Sequence, residues 1–173
     1  MKKTISIQNL VFAAMFMALN IALSSFGVPV PGGHFYLNDV VICTAAILLD
    51  PVSAFLVGGL GSFLGDLFFY PVPMFVSLAT HGIQAVVISL CARKLFPKRE
   101  KSGAIIGVTL GAIIMVVGYS LGRAFIYSTP EYAILKLPYQ ILQAGIGAVV
   151  SILLCYRFKI RSLYLNHTRN SHV

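Results

Sequence analysis

Long apolar stretches alternate with short breaks rich in proline, glycine or charge along nearly all of the 173-residue chain. About 20 apolar residues in a helix are enough to cross the roughly 30 Å hydrocarbon core of a membrane. The pattern therefore predicts an all-α integral membrane protein, with residues 1–173 forming a single transmembrane domain. The six predicted helices cover residues 5–26, 37–49, 51–69, 74–92, 103–127 and 138–157, and residues 158–173 form a cytoplasmic tail.

The boundary between the second and third helices depends on the Asp50-Pro51 step. Residues 37–49 would form a helix only about 20 Å long, so they could instead be fused to the next segment. However, an Asp-Pro pair suits a tight turn, and proline is favoured at the first position of a helix. We therefore predict two separate helices, of which the first is short and follows a loop that dips inward.

Composition and charge placement support this topology. Apolar residues make up 58% of the chain and charged residues 10%, which is too few charges to cover a soluble surface. Six spans with both termini in the cytoplasm place three cation clusters on the cytoplasmic side, as the positive-inside rule requires, whereas five spans leave one cluster outside. The clusters are Lys2 and Lys3; Arg93, Lys94, Lys98, Arg99 and Lys101; and Arg157, Lys159, Arg161 and Arg169. The net charge of +8 is thus explained by topology, and no nucleic acid partner is expected.

In this topology, the polar residues within the spans share the outer half of the membrane. Such residues normally face a bundle interior or a wet cavity, and residues three or four positions apart lie on one helix face. We therefore predict a substrate pocket that opens to the outside and is gated by two loops. The predicted binding residues are Asn38, Asp66, His81, Gln84, Tyr119, Arg123, Gln140 and Gln143, and the gating residues are His34, Tyr36, Phe69 and Tyr70.

Other interpretations of single residues remain open at this point. Asp39 could cap the second helix, and Asp66 could pair with Arg123 in a buried ion pair. His81 could be a hydrogen-bonded core histidine, and the glutamines could link helices. The shared depth of these residues, rather than any one of them, favours a binding pocket.

The first helix carries a different pattern. Ala13, Ala14 and Ala18 form an AAxxxA stripe within a helix of bulky apolar residues. Small residues at this spacing let another helix approach closely. The stripe therefore predicts a docking surface.

Several motifs together carry a resemblance to a known family. AAxxxA is followed by a block from Gly32 to Tyr70 that contains LNDV, D-P-x-x-A-F-x-V-G-G and G-D-L-F, and then by HGIQAVV. With these motifs, roughly residues 8–157 resemble the substrate-binding S component of an energy-coupling factor (ECF) vitamin transporter. Within that family, the helix 2–3 block is similar to the riboflavin-transporter-like branch, of the hydroxymethylpyrimidine and pyridoxine type.

The resemblance implies a complete transport role in a bacterial cell membrane. The chain would capture a small B-group vitamin or precursor, such as hydroxymethylpyrimidine or pyridoxine, from outside. Ala13, Ala14 and Ala18 would dock onto a transmembrane T component that sits on two ABC ATPases. ATP and Mg would act in those partner subunits, with no cofactor, metal or catalytic residue in this chain. The lack of a G-x-x-x-x-G-K-[ST] motif in the sequence is consistent with this expectation.

Two other functions remain as alternatives. A self-sufficient ion-coupled carrier would relay protons through Asp66, His81 and Arg123, and a membrane enzyme would use His81 and Asp66 as acid and base. The vitamin is also open, because Arg123 suits a carboxylate such as that of pantothenate, whereas Asp66 with His81 suits hydroxymethyl and ring-nitrogen groups. The resemblance favours a vitamin with hydroxymethyl and ring-nitrogen groups, such as pyridoxine or hydroxymethylpyrimidine.

Overall fold

The computed structural model describes residues 7–96 and 99–170, and this part of the chain contains seven helices and one β-hairpin. The hairpin pairs β1 (Val28–Val30) with β2 (Gly33–Phe35) in antiparallel register. One π-helical turn interrupts α3, and α4, α5 and α6 each end in another. The helices are α1 (Ile7–Ser24), α2 (Asn38–Leu48), α3 (Pro51–Phe69), α4 (Met74–Leu95), α5 (Glu100–Tyr127), α6 (Pro130–Arg157) and α7 (Ile160–Asn170).

Five of the described helices, α1 and α3 to α6, are long and apolar enough to cross a membrane. The remaining apolar helix, α2, has only 11 residues, of which ten are buried. It packs against α1, α4 and α6 and forms the centre of the bundle. A helix that is apolar on all sides is expected in such a position. The arrangement confirms the predicted all-α membrane bundle.

Asp50 separates α2 from α3. Its Oδ1 atom accepts hydrogen bonds from the backbone N–H groups of Val52 and Ser53, at 3.1 and 3.2 Å, and Pro51 occupies the first helical position. This is a helix N-cap of the usual kind. Burial of the Asp50 carboxyl opposes its ionisation, but the hydrogen bonds outweigh that effect and, with the charge of Arg93, hold the pKa of Asp50 below its usual value.

Two segments differ from the sequence prediction. The sixth helix begins at Pro130 rather than at residue 138, and Pro138 lies inside it with an exposed side chain. Pro130 and Glu131 favour a helix start there, and transmembrane helices tolerate an internal proline. The tail contains the amphipathic helix α7, which packs on α1 through Tyr164 and Phe12, whose ring centroids are 5.0 Å apart. Its hydropathy is too low for an apolar pattern to predict a helix there.

The loop predicted before α2 contains the β-hairpin, which is fixed against α6. Its Pro31-Gly32 turn has a φ of +79° at Gly32, the conformation that a type II turn requires at that position. A Cβ atom on Gly32 would lie 2.9 Å from the Cβ atom of Lys136. Lys136 Nζ also donates a hydrogen bond to the carbonyl of His34. The hairpin is thus positioned by direct contact with the sixth helix.

Candidate functional site

A cavity of about 220 Å³ lies where the hairpin and the N-terminal end of α2 meet one end of the helix bundle. Polar and aromatic side chains from all of these elements converge on it. Its wall is formed by Ser24, Gly32, Gly33, His34, Tyr36, Asn38, Asp66, Tyr70, Pro73, His81, Met115, Tyr119, Arg123, Tyr127, Ser128, Tyr132, Lys136, Gln140 and Gln143.

Asp39 organises one side of the cavity from behind its wall. The carboxylate is buried and accepts hydrogen bonds from Gln84 Nε2 at 3.0 Å and from Gln143 Nε2 at 2.7 Å. Gln143 Oε1 accepts in turn from the backbone N–H of Tyr36, at 3.1 Å. Asp39 therefore connects α4, α6 and the segment that follows the hairpin. It makes no capping bond at the start of α2, so the capping interpretation is wrong.

The hydrogen bonds of Gln84 also determine the orientation of the His81 ring and which ring nitrogen is the donor. Its Nδ1 atom lies 2.6 Å from Gln84 Oε1, and this oxygen can only accept because Gln84 Nε2 is the atom that donates to Asp39. When the ring is neutral, this bond therefore places the proton on Nδ1 and leaves Nε2 as an acceptor. The ring packs edge-on against Tyr119, with their centroids 5.2 Å apart. His81 is thus held in one orientation in the cavity wall.

Asp66 belongs to a second set of hydrogen bonds. Ser77 Oγ donates to Asp66 Oδ2, and the same hydroxyl lies 2.5 Å from Tyr119 Oη. Since the single Ser77 proton goes to Asp66, Tyr119 is the donor in the second bond. The Asp66 carboxylate is thereby fixed at the cavity by α4 and α5.

Arg123 and Lys136 form the basic part of the wall. Arg123 Nη1 donates to Gln140 Oε1 at 3.0 Å, and its guanidinium lies 5.5 Å from the centroid of the Tyr127 ring. Gln140 Nε2 donates to the backbone carbonyl of Val116 at 2.8 Å, which fixes the amide orientation. In the described residues, the one ion pair between permanently charged side chains joins Arg161 to Glu100, at 2.6 Å, while His81 Nδ1 lies 3.9 Å from Asp39 Oδ1 and would pair with it only as a protonated ring. The predicted alternative pairing of Asp66 with Arg123 is therefore wrong.

Three residues of the wall keep a buried polar atom without a hydrogen-bond partner in the described structure. These atoms are His34 Nδ1, Asn38 Oδ1 and Tyr127 Oη. Leaving a buried polar atom unpaired costs about 1–3 kcal/mol, so native structures contain few of them. These three atoms are free to bond to a polar group that enters the cavity, whereas the other unpaired buried atoms, on Gln8, Asn20 and Ser120, lie outside its wall.

Tyr36 contributes a hydroxyl that stays protonated. Burial, followed by the charges of Asp66 and Tyr70, raises the pKa of Tyr36 to about 12. The phenol can therefore donate a hydrogen bond throughout the physiological pH range. The described residues include no group of three or more His, Cys, Asp or Glu side chains that could hold a metal ion.

The structure brings most of the predicted site residues together. The cavity wall includes seven of the eight predicted binding residues: Asn38, Asp66, His81, Tyr119, Arg123, Gln140 and Gln143. Gln84 lies behind the wall, bonded to His81 and Asp39. Of the predicted gating residues, His34, Tyr36 and Tyr70 also line the cavity, whereas Phe69 is exposed beside Phe68. The role of all these residues in substrate binding stays a prediction.

Sequence reasoning missed Lys136 and Tyr127, although both left a signal. Tyr127 continues the spacing of four residues that relates Tyr119 to Arg123, so all three share one face of α5. Lys136 and Arg123 are the two cations outside the three cytoplasmic clusters. Lys136 was overlooked because residues 128–138 were predicted to be a loop.

The alanine stripe of α1 divides between two faces. Ala13 is 4% exposed and belongs to the hydrophobic core, whereas Ala14 and Ala18 are exposed. A surface for another helix can therefore include Ala14 and Ala18, while Ala13 packs within this chain.

Three similarities to known proteins agree with this architecture. The family model described as "ECF-type riboflavin transporter, S component" matches residues 4–159. A Pyrococcus woesei protein described as "Uncharacterized protein in gap 3'region" is 29% identical over 136 residues, which are 78% of this chain and 89% of that protein. A solved structure described as "Structure and mechanism of the S component of a bacterial ECF transporter" shares 21% identity. It superposes with a TM-score of 0.68, covering 87% of this chain and 95% of its own, and thus has the same fold.

Proposed function

The chain belongs to the family of ECF-type riboflavin transporter S components, and from this premise we propose that it captures a small single-ring B-group vitamin or precursor outside the cell. Members of this family are multi-pass membrane proteins that bind substrate within a larger transporter. The proposal adds the substrate class, the side of capture and the partners.

The observation that carries the proposal is the cavity at the hairpin end of the bundle. Its wall offers donors and acceptors fixed by hydrogen bonds, with aromatic rings from Tyr119, Tyr127 and Tyr132. Such a combination orients a flat heterocycle by its polar groups while burying its faces. The unpaired polar atoms of His34 and Asn38 lie in the same wall.

The size of the cavity favours one ring. At about 220 Å³, it lies below the roughly 300–1,000 Å³ usual for ligand pockets. Hydroxymethylpyrimidine and pyridoxine are of suitable size. Riboflavin, with three fused rings and a five-carbon side chain, would need the cavity to expand.

The position of the cavity supports capture from outside. Asn38, at the N-terminal end of α2, lines the cavity, whereas Arg93 donates a hydrogen bond to the carbonyl of Leu48 at the opposite end of α2. The cavity and this cation cluster therefore lie at opposite ends of the central helix. Since cations mark the cytoplasmic side, the cavity is expected to face outward, with both termini inside.

We further propose that release of the substrate inside requires partner subunits. Ala14 and Ala18 offer an exposed small-residue surface on α1, which suits close docking of a T component helix. Two ABC ATPases bound to that component would hydrolyse ATP with Mg. The chain itself would contribute binding and carry no catalytic step.

The first experiment is to purify this chain alone in detergent and identify any bound small molecule by mass spectrometry after denaturation. We expect a single-ring vitamin or precursor, released chemically unchanged and binding one per chain in a titration. Riboflavin should bind at least about tenfold more weakly. Absence of any ligand, together with proton-driven uptake by the chain alone in liposomes, would contradict the proposal and favour an ion-coupled carrier.

A further inference from the structure

Two buried basic side chains face the cavity. Lys136 is 3% exposed and Arg123 is 9% exposed, and both line the wall. They are also the two cations that the three cytoplasmic clusters do not include, so topology gives no reason for their presence. A charged side chain within a membrane bundle is expensive and normally has a functional partner.

In the described part of the chain, the hydrogen-bond partners found for these two cations are neutral. Arg123 donates to the side-chain amide of Gln140, and Lys136 donates to the backbone carbonyl of His34. Both nearby carboxylates are bonded elsewhere: Asp66 accepts from Ser77, and Asp39 accepts from two glutamines. Neither carboxylate lies within 4.0 Å of a cavity cation.

The two cations lie against the same short segment of the hairpin. A Cβ atom placed on Gly33 would be 3.6 Å from Arg123 Nη2, and Lys136 contacts both Gly32 and the carbonyl of His34. A guanidinium has five N–H donors and an ammonium has three, so each cation has donors beyond those used here. Burial without an opposite charge is strongly unfavourable, and binding of an anion would relieve it.

We propose that Arg123 and Lys136 form an anion subsite beneath the hairpin, and that the substrate carries a carboxylate or phosphate group that binds there. The inference rests on the proposed capture function and specifies its substrate class. The group takes the donors that Arg123 and Lys136 do not use within the protein. The ring of the substrate then lies toward His81 and Tyr119, where Nε2 of the histidine accepts from a ring substituent. A neutral vitamin would leave both cations buried without an opposite charge.

The test compares ligands that differ in one anionic group, with the detergent-purified full chain as the binding protein. The carboxylate pair is nicotinate with nicotinamide. The phosphate pairs are pyridoxine phosphate with pyridoxine and hydroxymethylpyrimidine phosphate with hydroxymethylpyrimidine. Calorimetric titration gives the affinity for each compound, and the pair with the larger difference identifies the anionic group.

We expect at least one anionic compound to bind about 10- to 100-fold more tightly than its neutral partner, since hydrogen bonds to charged groups are the stronger class. Arg123→Gln and Lys136→Met should each remove most of that difference. Lys136→Arg, which keeps the charge, should retain it. The matched controls are Arg157→Gln and Lys101→Met, which change exposed cations outside the cavity and should leave all affinities unchanged.

Three results would overturn the inference, each with a different meaning. Equal binding of the neutral and anionic members in every pair would remove the anion subsite while leaving the capture function intact. Equal weakening of both members of a pair by Arg123→Gln and Lys136→Met would assign the two cations a purely structural role. If no compound of the panel binds, the capture function fails and the subsite fails with it. The comparison of anionic with neutral ligands uses the unmodified chain, so it can be made even if a variant does not fold.

Discussion

Asp39 is the residue on which the geometry of the cavity depends most, although it is not part of the wall. Its two amide partners, Gln84 and Gln143, lie 45 and 104 positions away in the sequence. Because each glutamine bonds to Asp39 through its nitrogen, each amide oxygen is turned toward another partner: His81 in one case and the Tyr36 backbone in the other. One buried carboxylate thus fixes groups on both sides of the site.

Gln84 is not a residue of the cavity wall, but Gln84→Ala should still destabilise the protein and weaken substrate binding. Loss of a hydrogen bond to a buried charged group costs about 1.5–3 kcal/mol. His81 would also lose the bond that fixes its proton on Nδ1. The free energy of unfolding in detergent should fall by about 2 kcal/mol, as measured by chemical denaturation. In the matched control Thr109→Ala, the lost hydroxyl is exposed and bonds only to Ile105 of its own helix, so stability should hold. Equal stability of the two variants would contradict the assigned role of Gln84.

The residues of the site could be predicted in part because membrane burial makes polar side chains conspicuous. Depth within the spans was enough to select Asp66, His81, Arg123 and their neighbours, seven of which line the cavity. Depth could not distinguish the wall from the layer behind it, which is why Gln84 was predicted to line the pocket and why a capping role for Asp39 stayed open. That distinction depends on contacts between residues far apart in the sequence.

Among the elements, the junction of α2 and α3 shows how local chemistry determines a boundary. Asp50 and Pro51 act within a few residues of each other, so the sequence alone was sufficient to predict a break there. The start of α6 and the existence of α7 were harder to predict. Proline usually breaks a helix, so Pro138 was predicted to begin the sixth helix rather than to lie inside it. The polar face of α7 gave no apolar segment to detect, and this helix is held by its contact with α1. Both depend on packing that the local sequence does not express.

The Asp50 cap yields a prediction with a defined pH dependence. Asp50→Ala should reduce stability by about 1 kcal/mol at neutral pH, because the first turn of α3 loses its N-cap. The pKa of Asp50 in the folded protein is lowered, so its charge stabilises the fold above the ordinary carboxyl pKa. That contribution is lost as the pH falls through the lower folded-state pKa.

Thermal unfolding in detergent at neutral pH and at about pH 3 would check this effect of Asp50. Asp50→Asn is the matched control, since asparagine caps a helix about as well as aspartate but does not titrate. The difference between the unmodified chain and Asp50→Asn should therefore shrink in acid. A difference that stays constant with pH would mean that the charge of Asp50 contributes nothing.

At the scale of the whole molecule, α1 is set apart by its exposure. Only three of its 18 residues are buried, namely Ala13, Asn20 and Ser24. The remainder presents a long apolar surface that includes Ala14 and Ala18. The cavity lies elsewhere, with Ser24 as the single residue of α1 in its wall. Binding and docking are therefore expected to be separable by mutation.

Ala14→Leu should abolish uptake that depends on the T component and the ATPases while leaving the substrate affinity of the isolated chain unchanged. The bulkier side chain prevents close approach of another helix. Uptake is measured in liposomes that contain the complete transporter, and affinity in detergent. Gly145→Leu is the matched control, because Gly145 is exposed on α6 and a Cβ atom placed there would have no neighbouring atom within 4 Å.

A third variant, Ala13→Leu, separates the two faces of the alanine stripe. Ala13 is a core residue, so leucine there should lower the free energy of unfolding by about 1–3 kcal/mol through overpacking. Equal loss of binding and uptake in Ala14→Leu would argue against a docking role for this surface.

The shortness of α2 has a consequence for how this fold can change its substrate. With 11 residues, α2 is about 16 Å long, whereas a membrane-crossing helix has about 20 residues and a length of about 30 Å. The cavity lies beyond the N-terminal end of α2, in the depth that further helical turns would have filled, and the hairpin covers it. Insertions or deletions between residues 25 and 37 can therefore enlarge or reduce the chamber while the surrounding helices keep their packing. The substrate preference of such a protein can therefore change in evolution through a single connecting segment.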